Sequence, residues 1–391
     1  MDDAFDYSTN FPAVGADGQP RSNLISMMSQ LSFNLISAPS KRTGEDNSTW
    51  EAIQDLDNTP EALSLFVLET CNRQLRQYHL STLEEEAVNL NIGEGLDYSV
   101  DISKTDEGEL VAVKHLKIDA EDQSQDDAGR RISECGRIWK ALTEIRIMMH
   151  PPIAECINVL SVKGFGWDYV GGKTTTPSLV VEFAEYGTIR HYLKTEPKKS
   201  DSERWKILSG ISEGLLSLHH CGVIHGDVKM ENILVAAMSD GTIIPKIADF
   251  GSSVITTSGE EHYSYGGTDI YNPPEVRLSG SGRNSIPRLS LVYCDIWAFG
   301  LLSLEVALGG QCYLNEEVSQ CLKSLRMEGF EAACLHRLDQ AEVDNPAATA
   351  KFRTIVETAL KRDPNERATS QAVKGYFSDE PEEHNYSDIQ T

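Results

Sequence analysis

Val223-Ile-His-Gly-Asp-Val-Lys-Met-Glu-Asn-Ile-Leu-Val235 is the stretch on which the reading of this chain turns. An apolar run enters it, an apolar run leaves it, and His225, Asp227, Lys229 and Asn232 stand between them at fixed offsets. Alone, the stretch also fits a buried strand broken by a polar turn. The residues C-terminal to it separate the two readings. Asp249 lies seventeen residues after Asn232, within Ile247-Ala-Asp-Phe-Gly251. Two short apolar runs lie between, joined by the turn signal Ser239-Asp-Gly241, so the segment reads as a β-hairpin. A hairpin brings the Asp249 carboxylate back beside the Asn232 amide, as a shared site for a hard cation requires.

The order H-x-D-x-K-x-x-N, then D-F-G, resembles the catalytic loop and metal-binding segment of protein kinases. The resemblance implies roles for each residue. Asp227 would accept or orient the proton of an attacking hydroxyl, and Lys229 would sit against the transferring phosphate. Asn232 and Asp249 would hold Mg²⁺.

Other pieces fall in the family's order. Val88, Leu90 and Ile92 alternate as a strand, Gly93-Glu-Gly95-Leu-Asp-Tyr-Ser-Val100 turns it, and Val100 and Ile102 continue a second strand. Asp106-Glu-Gly108 leads into Leu110-Val-Ala-Val-Lys-His-Leu116, giving three antiparallel strands. Gly93, Gly95 and Lys114 resemble the loop and lysine that hold the phosphates of ATP. After an acidic loop over 117–129, apolar residues at Ile132, Cys135, Ile138, Leu142, Ile145 and Met149 predict a helix from Arg131 to Met149. Glu144 within it matches the family glutamate that pairs with the lysine. Ile157–Phe165 and Ser178–Phe183 read as the last strands of this lobe. Glu182-Phe-Ala184 then stands at the hinge, where adenine would hydrogen-bond to the backbone, with Val181 behind the pocket. Val100, Ala112 and Leu234 are the remaining cofactor-binding positions the resemblance implies.

Trp205–Leu218 reads as an apolar-faced helix leading to the catalytic loop. Beyond Asp249, Gly267-Thr-Asp-Ile-Tyr-Asn-Pro-Pro-Glu275 resembles G-T-x-x-Y-x-A-P-E, with Pro273 in place of alanine. Asp295-Ile-Trp-Ala-Phe-Gly300 resembles the D-x-W-x-x-G that opens the central large-lobe helix, and Arg367 is placed to pair with Glu275. The resemblance covers about residues 86–375. It implies a two-lobed α+β fold: a small antiparallel β-sheet lobe with one helix (86–183) and a mainly helical large lobe (184–375). Lys229 and Gly267-Thr268 resemble the serine/threonine type, whose acceptor is a protein hydroxyl. His225-Gly-Asp-Val-Lys229 is similar to divergent kinases of filamentous fungi.

Two positions depart from the family pattern. Tyr98 replaces the third glycine of G-x-G-x-x-G, forfeiting the close backbone approach that glycine allows. Nucleotide binding is therefore expected to be weakened, and Tyr98→Gly to tighten it. Gly226 stands where regulated kinases carry an arginine that anchors a phosphorylated segment, so such an anchor is not expected. Two alternatives stay open. Small-molecule phosphotransferases of the aminoglycoside or choline kinase type share His225-Gly226-Asp227 and Asn232, but not the Gly267–Glu275 or Asp295–Gly300 motifs. A catalytically inactive kinase-like scaffold would need a defect that the catalytic residues do not display.

The formal charge of −25, from 60 acidic and 35 basic residues, argues against general binding to nucleic acid or anionic membranes. Eight cysteines without a C-x-x-C read as reduced thiols. Met1-Asp-Asp-Ala-Phe-Asp lacks the marks of a leader, and no stretch is read as apolar enough to span a membrane. An intracellular, cytoplasmic location is expected, with a nuclear one left open. Residues 1–58 read as a disordered extension, with an apolar docking segment at Asn23–Ile36. Leu63, Val67, Cys71, Leu75 and Tyr78 recur at helical intervals, predicting a helix within 59–85 that packs on the small lobe. Residues 376–391 read as an acidic tail. His219, His220, Cys221 and His225 lack the second cluster of a structural zinc site and read as a helix end followed by a buried histidine.

Overall fold

The computed structural model describes residues 75–78, 91–94, 98–105, 107–117, 127–170, 174–195, 197–256, 261–278, 285–323, 327–341 and 346–377. Leu110–Leu116 (β4) is buried on both faces, as its run Leu110-Val-Ala-Val113 suits a central strand. It pairs antiparallel with Tyr98–Lys104 (β3) on one side and Thr174–Glu182 (β6) on the other. Val162–Val170 (β5) lies beyond β6, and Asn91–Glu94 (β2) beyond β3. The register sets Val100 opposite Lys114 and Ile102 opposite Ala112. Since side chains alternate along a strand, Tyr98, Val100, Ala112 and Lys114 share one face. Asp127–Met149 (α1) packs on that face through buried Ile138, Leu142 and Ile145.

The sixth strand corrects the C-terminal part of the helix expected within 59–85. Arg76–Gln77 (β1) pairs parallel with β5, at the register Arg76 to Gly164 and Gln77 to Phe165. A Cβ on Gly164 would lie 2.3 Å from the Arg76 carbonyl oxygen, so glycine makes this pairing possible. Tyr78 then covers Val111, Val113 and Val180 on the outer face of the sheet. Leu75 and Tyr78 thus stand beside a short strand because an open sheet edge and an uncovered apolar face outweigh helical spacing. The other residues of the expected helix lie outside the described residues, as do 1–58 and 378–391. Tyr376 and Phe377, expected in the acidic tail, instead join the large lobe, where the Phe377 ring packs 4.5 Å from Trp205.

The strand expected at Ile157 begins instead at Val162. Ahead of it, Val159 bridges Ile247, Leu160 N donates to Ile247 O at 2.9 Å, and Asn158 Nδ2 donates to Pro245 O at 3.0 Å. This connection therefore belongs to the hairpin of the large lobe. The helix α1 also starts earlier than Arg131, at Asp127.

Pro151–Ala154 (α2) connects α1 to β5, and the large lobe follows with Ile189–Lys194 (α3) and Asp201–His220 (α4). A capping box starts α4 ahead of its expected apolar stretch: Glu203 N donates to Ser200 Oγ, and Ser200 N donates to Glu203 Oε2. Val223–Ile224 (β7), Ile233–Ala237 (β8), Ile243–Ile247 (β9), Val254–Ile255 (β10) and His262–Tyr263 (β11) come next. After Pro274–Leu278 (α5) and Ile286–Pro287 (β12), Arg288–Ala307 (α6) runs through the core. By length and composition α6 could cross a membrane, contrary to expectation, but most of its residues are buried by the lobe around it. Glu316–Lys323 (α7), Phe330–Asp339 (α8), Pro346–Ala359 (α9) and Ser370–Gly375 (α10) complete the two-lobed α+β fold.

Candidate active site

The expected hairpin forms: β8 and β9 pair from Ile233–Ile247 to Ala237–Ile243, and Ala248 N donates to Asn232 O at 2.9 Å. Asn232 and the segment leading to Asp249 are thereby neighbours. His225 is fully buried, its Nε2 lies 3.1 Å from Ala248 O, and its ring packs 5.4 Å from Phe250. Phe250 is buried whereas Asp249 is exposed, at φ 65°. That positive φ turns the chain so that the apolar ring goes inward and the carboxylate outward.

Asp227 lies at the centre. Its Oδ1 accepts hydrogen bonds from Thr268 N and Thr268 Oγ1, both at 2.8 Å. Its Oδ2 accepts from Lys229 Nζ at 2.6 Å and Asn232 Nδ2 at 3.0 Å. Lys229 also donates to Thr268 Oγ1 at 2.8 Å, closing a ring of base, cation and hydroxyl. Burial alone would raise the Asp227 carboxyl, but the Lys229 ion pair and the Thr268 hydroxyl outweigh it and hold it below its ordinary value. The group is an ionised acceptor. Asn232 spends its amide nitrogen on the Asp227 carboxylate and carbonyl, so its amide oxygen is left to face a cation.

Across the cleft, Lys114 Nζ pairs with Glu144 Oε1. Burial pushes the Glu144 carboxyl up, with the Lys114 ammonium opposing this and the Asp249 charge adding to it. Asp249 is thus close enough to be felt by the pair. Tyr98 takes a place that sequence reasoning did not foresee. Instead of standing in the loop, its ring turns inward and lies 4.4 Å from Lys114 Nζ, buried beside the pair. Gly93 sits in β2 opposite Val100, and Gly95 lies outside the described residues.

Along the hinge, Ala112 faces Val181 across the sheet, and half-buried Leu234 lies on β8. The Glu182 side chain has a part of its own. Its carboxylate accepts from Ser161 N at 2.7 Å and pairs with Lys246 Nζ at 2.9 Å, while its own N–H donates to Ser161 O. Glu182 therefore braces the hinge against β9. The Ala184 N–H has no partner among the described residues, leaving a donor for a ligand at the hinge.

The donors at the cation position, an exposed carboxylate and an amide oxygen, are hard oxygen ligands of the type Mg²⁺ takes alongside substrate phosphates and water. Among the described residues no His/Cys/Asp/Glu cluster could hold a metal on its own. His219, weighed for zinc, instead places Nε2 2.9 Å from Asp295 Oδ2 and Nδ1 on Ser370 Oγ. Arg190 was also missed. It pairs with Glu231 at 2.6 Å and Glu305 at 3.2 Å, tying the residue before Asn232 to the core helix. Basic residues on short helices are common, so only the fold could single it out. The expected Arg367–Glu275 pair forms in bidentate geometry at 2.7 and 2.8 Å, with Arg367 fully buried.

A protein kinase domain family model matches residues 87–377. Aurora/IPL1-related protein kinase 2 of Caenorhabditis elegans is 25% identical over 323 residues, covering 82% of this chain and 91% of the relative. Mitogen-activated protein kinase kinase 2 of Arabidopsis thaliana is 30% identical over 202 residues, covering half of each. Serine/threonine-protein kinase PLK4 of Nematostella vectensis is 28% identical over 245 residues, covering 61% of this chain. The chain spans only 21% of that relative, and 33% of calcium-dependent protein kinase 27 of Arabidopsis thaliana. With residues 87–377 matched by the family model around the geometry of Lys114, Glu144, Asp227, Asn232 and Asp249, the chain belongs to the eukaryotic protein kinase family.

Proposed function

We propose that the chain is an ATP- and Mg²⁺-dependent serine/threonine kinase acting on protein hydroxyls. The observation that carries this reading is the ring of Asp227, Lys229 and Thr268. An ionised carboxylate is held by an ammonium that also binds a threonine hydroxyl of the chain itself. An acceptor hydroxyl brought to the same carboxylate would donate its proton there, while Lys229 offsets negative charge on the transferred group. Lys114, braced by Glu144, is placed to bind phosphate oxygens, and the Ala184 N–H to bind the adenine edge. Mg²⁺, when bound at Asn232 and Asp249, would neutralise phosphate charge. Catalysis is then mainly positioning and charge stabilisation. The six free cysteines among the described residues suit the reducing interior of a cell.

The test is transfer of labelled phosphate from ATP to a mixture of proteins and to aminoglycosides and choline, with and without Mg²⁺. Label on protein serine or threonine, abolished in Asp227→Asn, is the expected outcome. Label on small molecules only, or no turnover by folded protein, would overturn the proposal.

A further inference from the structure

Asp295 is fully buried about two turns into α6, which opens at Arg288 and not, as expected, at Asp295, and it gathers four donors. Its Oδ2 accepts from His225 N at 2.7 Å and His219 Nε2 at 2.9 Å, and its Oδ1 from Gly226 N at 3.0 Å and Tyr265 Oη at 3.0 Å. Two of these come from the backbone just before Asp227, and one from the end of α4. The fourth belongs to the segment after Asp249. Tyr265 is 2% exposed and sits in an apolar socket of Ile224, Val254, Val276, Ile286 and Leu291. Its hydroxyl therefore reaches the carboxylate that positions the catalytic loop from inside a built pocket.

The surrounding backbone leaves no room for a side-chain anchor at 226. Gly226 has φ 81°, and a Cβ there would lie 2.2 Å from Ser252 O. Gly267, at φ 87°, packs against the same loop, because its Cβ would lie 2.6 Å from Gly226 O. Thr268, three residues beyond Tyr265, supplies both hydrogen bonds to Asp227 Oδ1. A tether at 265 thus limits how far the Thr268 contact can drift.

We propose that Tyr265 is a positioning residue that docks this segment on the catalytic loop through Asp295, holding Thr268 on Asp227 without a phosphate. The inference rests on the kinase reading for its kinetic consequence, but not for its structural one. A neutral phenol on a buried carboxylate is a hydrogen bond to a charged acceptor, stronger than one between neutral groups. It is present as soon as the chain folds.

The test is Tyr265→Phe in the full chain, which keeps the ring and removes only the hydroxyl. Amide hydrogen exchange is expected to rise at residues 261–268 with the rest of the large lobe unchanged. For phosphoryl transfer, kcat is expected to fall about tenfold to a hundredfold, the worth of a hydrogen bond to a charged group. The KM for ATP is expected to stay at the wild-type value, because Lys114 and Glu144 lie in the other lobe. Wild-type exchange at 261–268 would overturn the proposal, and so would exchange raised uniformly across the lobe, which would mean that the hydroxyl serves the core. Exchange reads the tether whether or not the chain turns over, so a wild-type protein without transfer activity would count against the kinase reading alone.

Discussion

Replacing Tyr98 tests what the chain has put in place of a loop glycine. The ring centroid lies 4.4 Å from Lys114 Nζ, and the Lys114 and Glu144 side chains are 10% and 0% exposed. A cation held over an aromatic face gains about 2 kcal/mol when desolvated as here. Tyr98→Leu keeps apolar bulk but removes the π face. Loss of that ~2 kcal/mol corresponds to roughly thirtyfold in affinity if it is felt wholly by nucleotide phosphates. The KM for ATP is therefore expected to rise by about ten- to thirtyfold in Tyr98→Leu, and to stay near wild type in Tyr98→Phe. Tyr98→Gly, which the sequence pattern alone would favour, is expected to weaken binding as well. It loses the same ring and opens a cavity beside α1, a change that costs about 3–5 kcal/mol when a large aromatic is truncated in a core. Initial rates against ATP give KM, and titration calorimetry in an Asp227→Asn background gives the dissociation constant free of turnover. A lower KM in Tyr98→Leu or Tyr98→Gly would refute this reasoning and make the ring an obstacle in the phosphate site.

Four further outcomes are expected. Asp227→Asn should lose nearly all transfer while its melting temperature stays close to wild type, and near-normal turnover would remove Asp227 from its role. Lys114→Met should abolish transfer and also destabilise, because Glu144 is left buried without its cation, at a cost of about 3–5 kcal/mol if it stays ionised. Glu144 already has a raised folded pKa, so its stabilising contribution is complete below the unfolded value and is lost as pH rises through the folded one. Removing Lys114 raises that pKa further, so denaturant melts should show a deficit relative to wild type that grows from pH 5 to pH 8. A deficit independent of pH would contradict the assignment. Arg367→Ala should cost about 3–5 kcal/mol by chemical denaturation, since it strands Glu275 beside a fully buried site; a loss under about 1 kcal/mol would show that water replaces the guanidinium. Alanine at Thr256, Thr257 and Ser258 together should leave activity within about threefold, because Gly226 has no side chain with which to hold a phosphate. A large loss restored by acidic replacements would count against that.

Much of the site was legible along the chain because its signals are local. Ser239-Asp-Gly241 carries turn chemistry that returns β9 along β8, so Asn232 and Asp249 had to approach each other. Once Leu110–Leu116 reads as a strand, Lys114 and Ala112, two residues apart, must share a face. The pairs Lys114–Glu144 and Arg367–Glu275 join residues 30 and 92 positions apart, and were visible only because the motifs resemble a family in which those partners meet. Other features had no local mark. A tyrosine at 98 reads as a defective glycine until the pleat points it at Lys114, and helical spacing at Leu75 and Tyr78 yields to an open sheet edge. Asp295 collects donors from α4, the catalytic loop and the segment at Tyr265. Nothing within a few residues of any of them foretells that meeting. Propensity and turn chemistry act over a handful of residues, whereas a buried carboxylate is satisfied by whatever donors the packed chain delivers to it, and only the tertiary structure decides which those are.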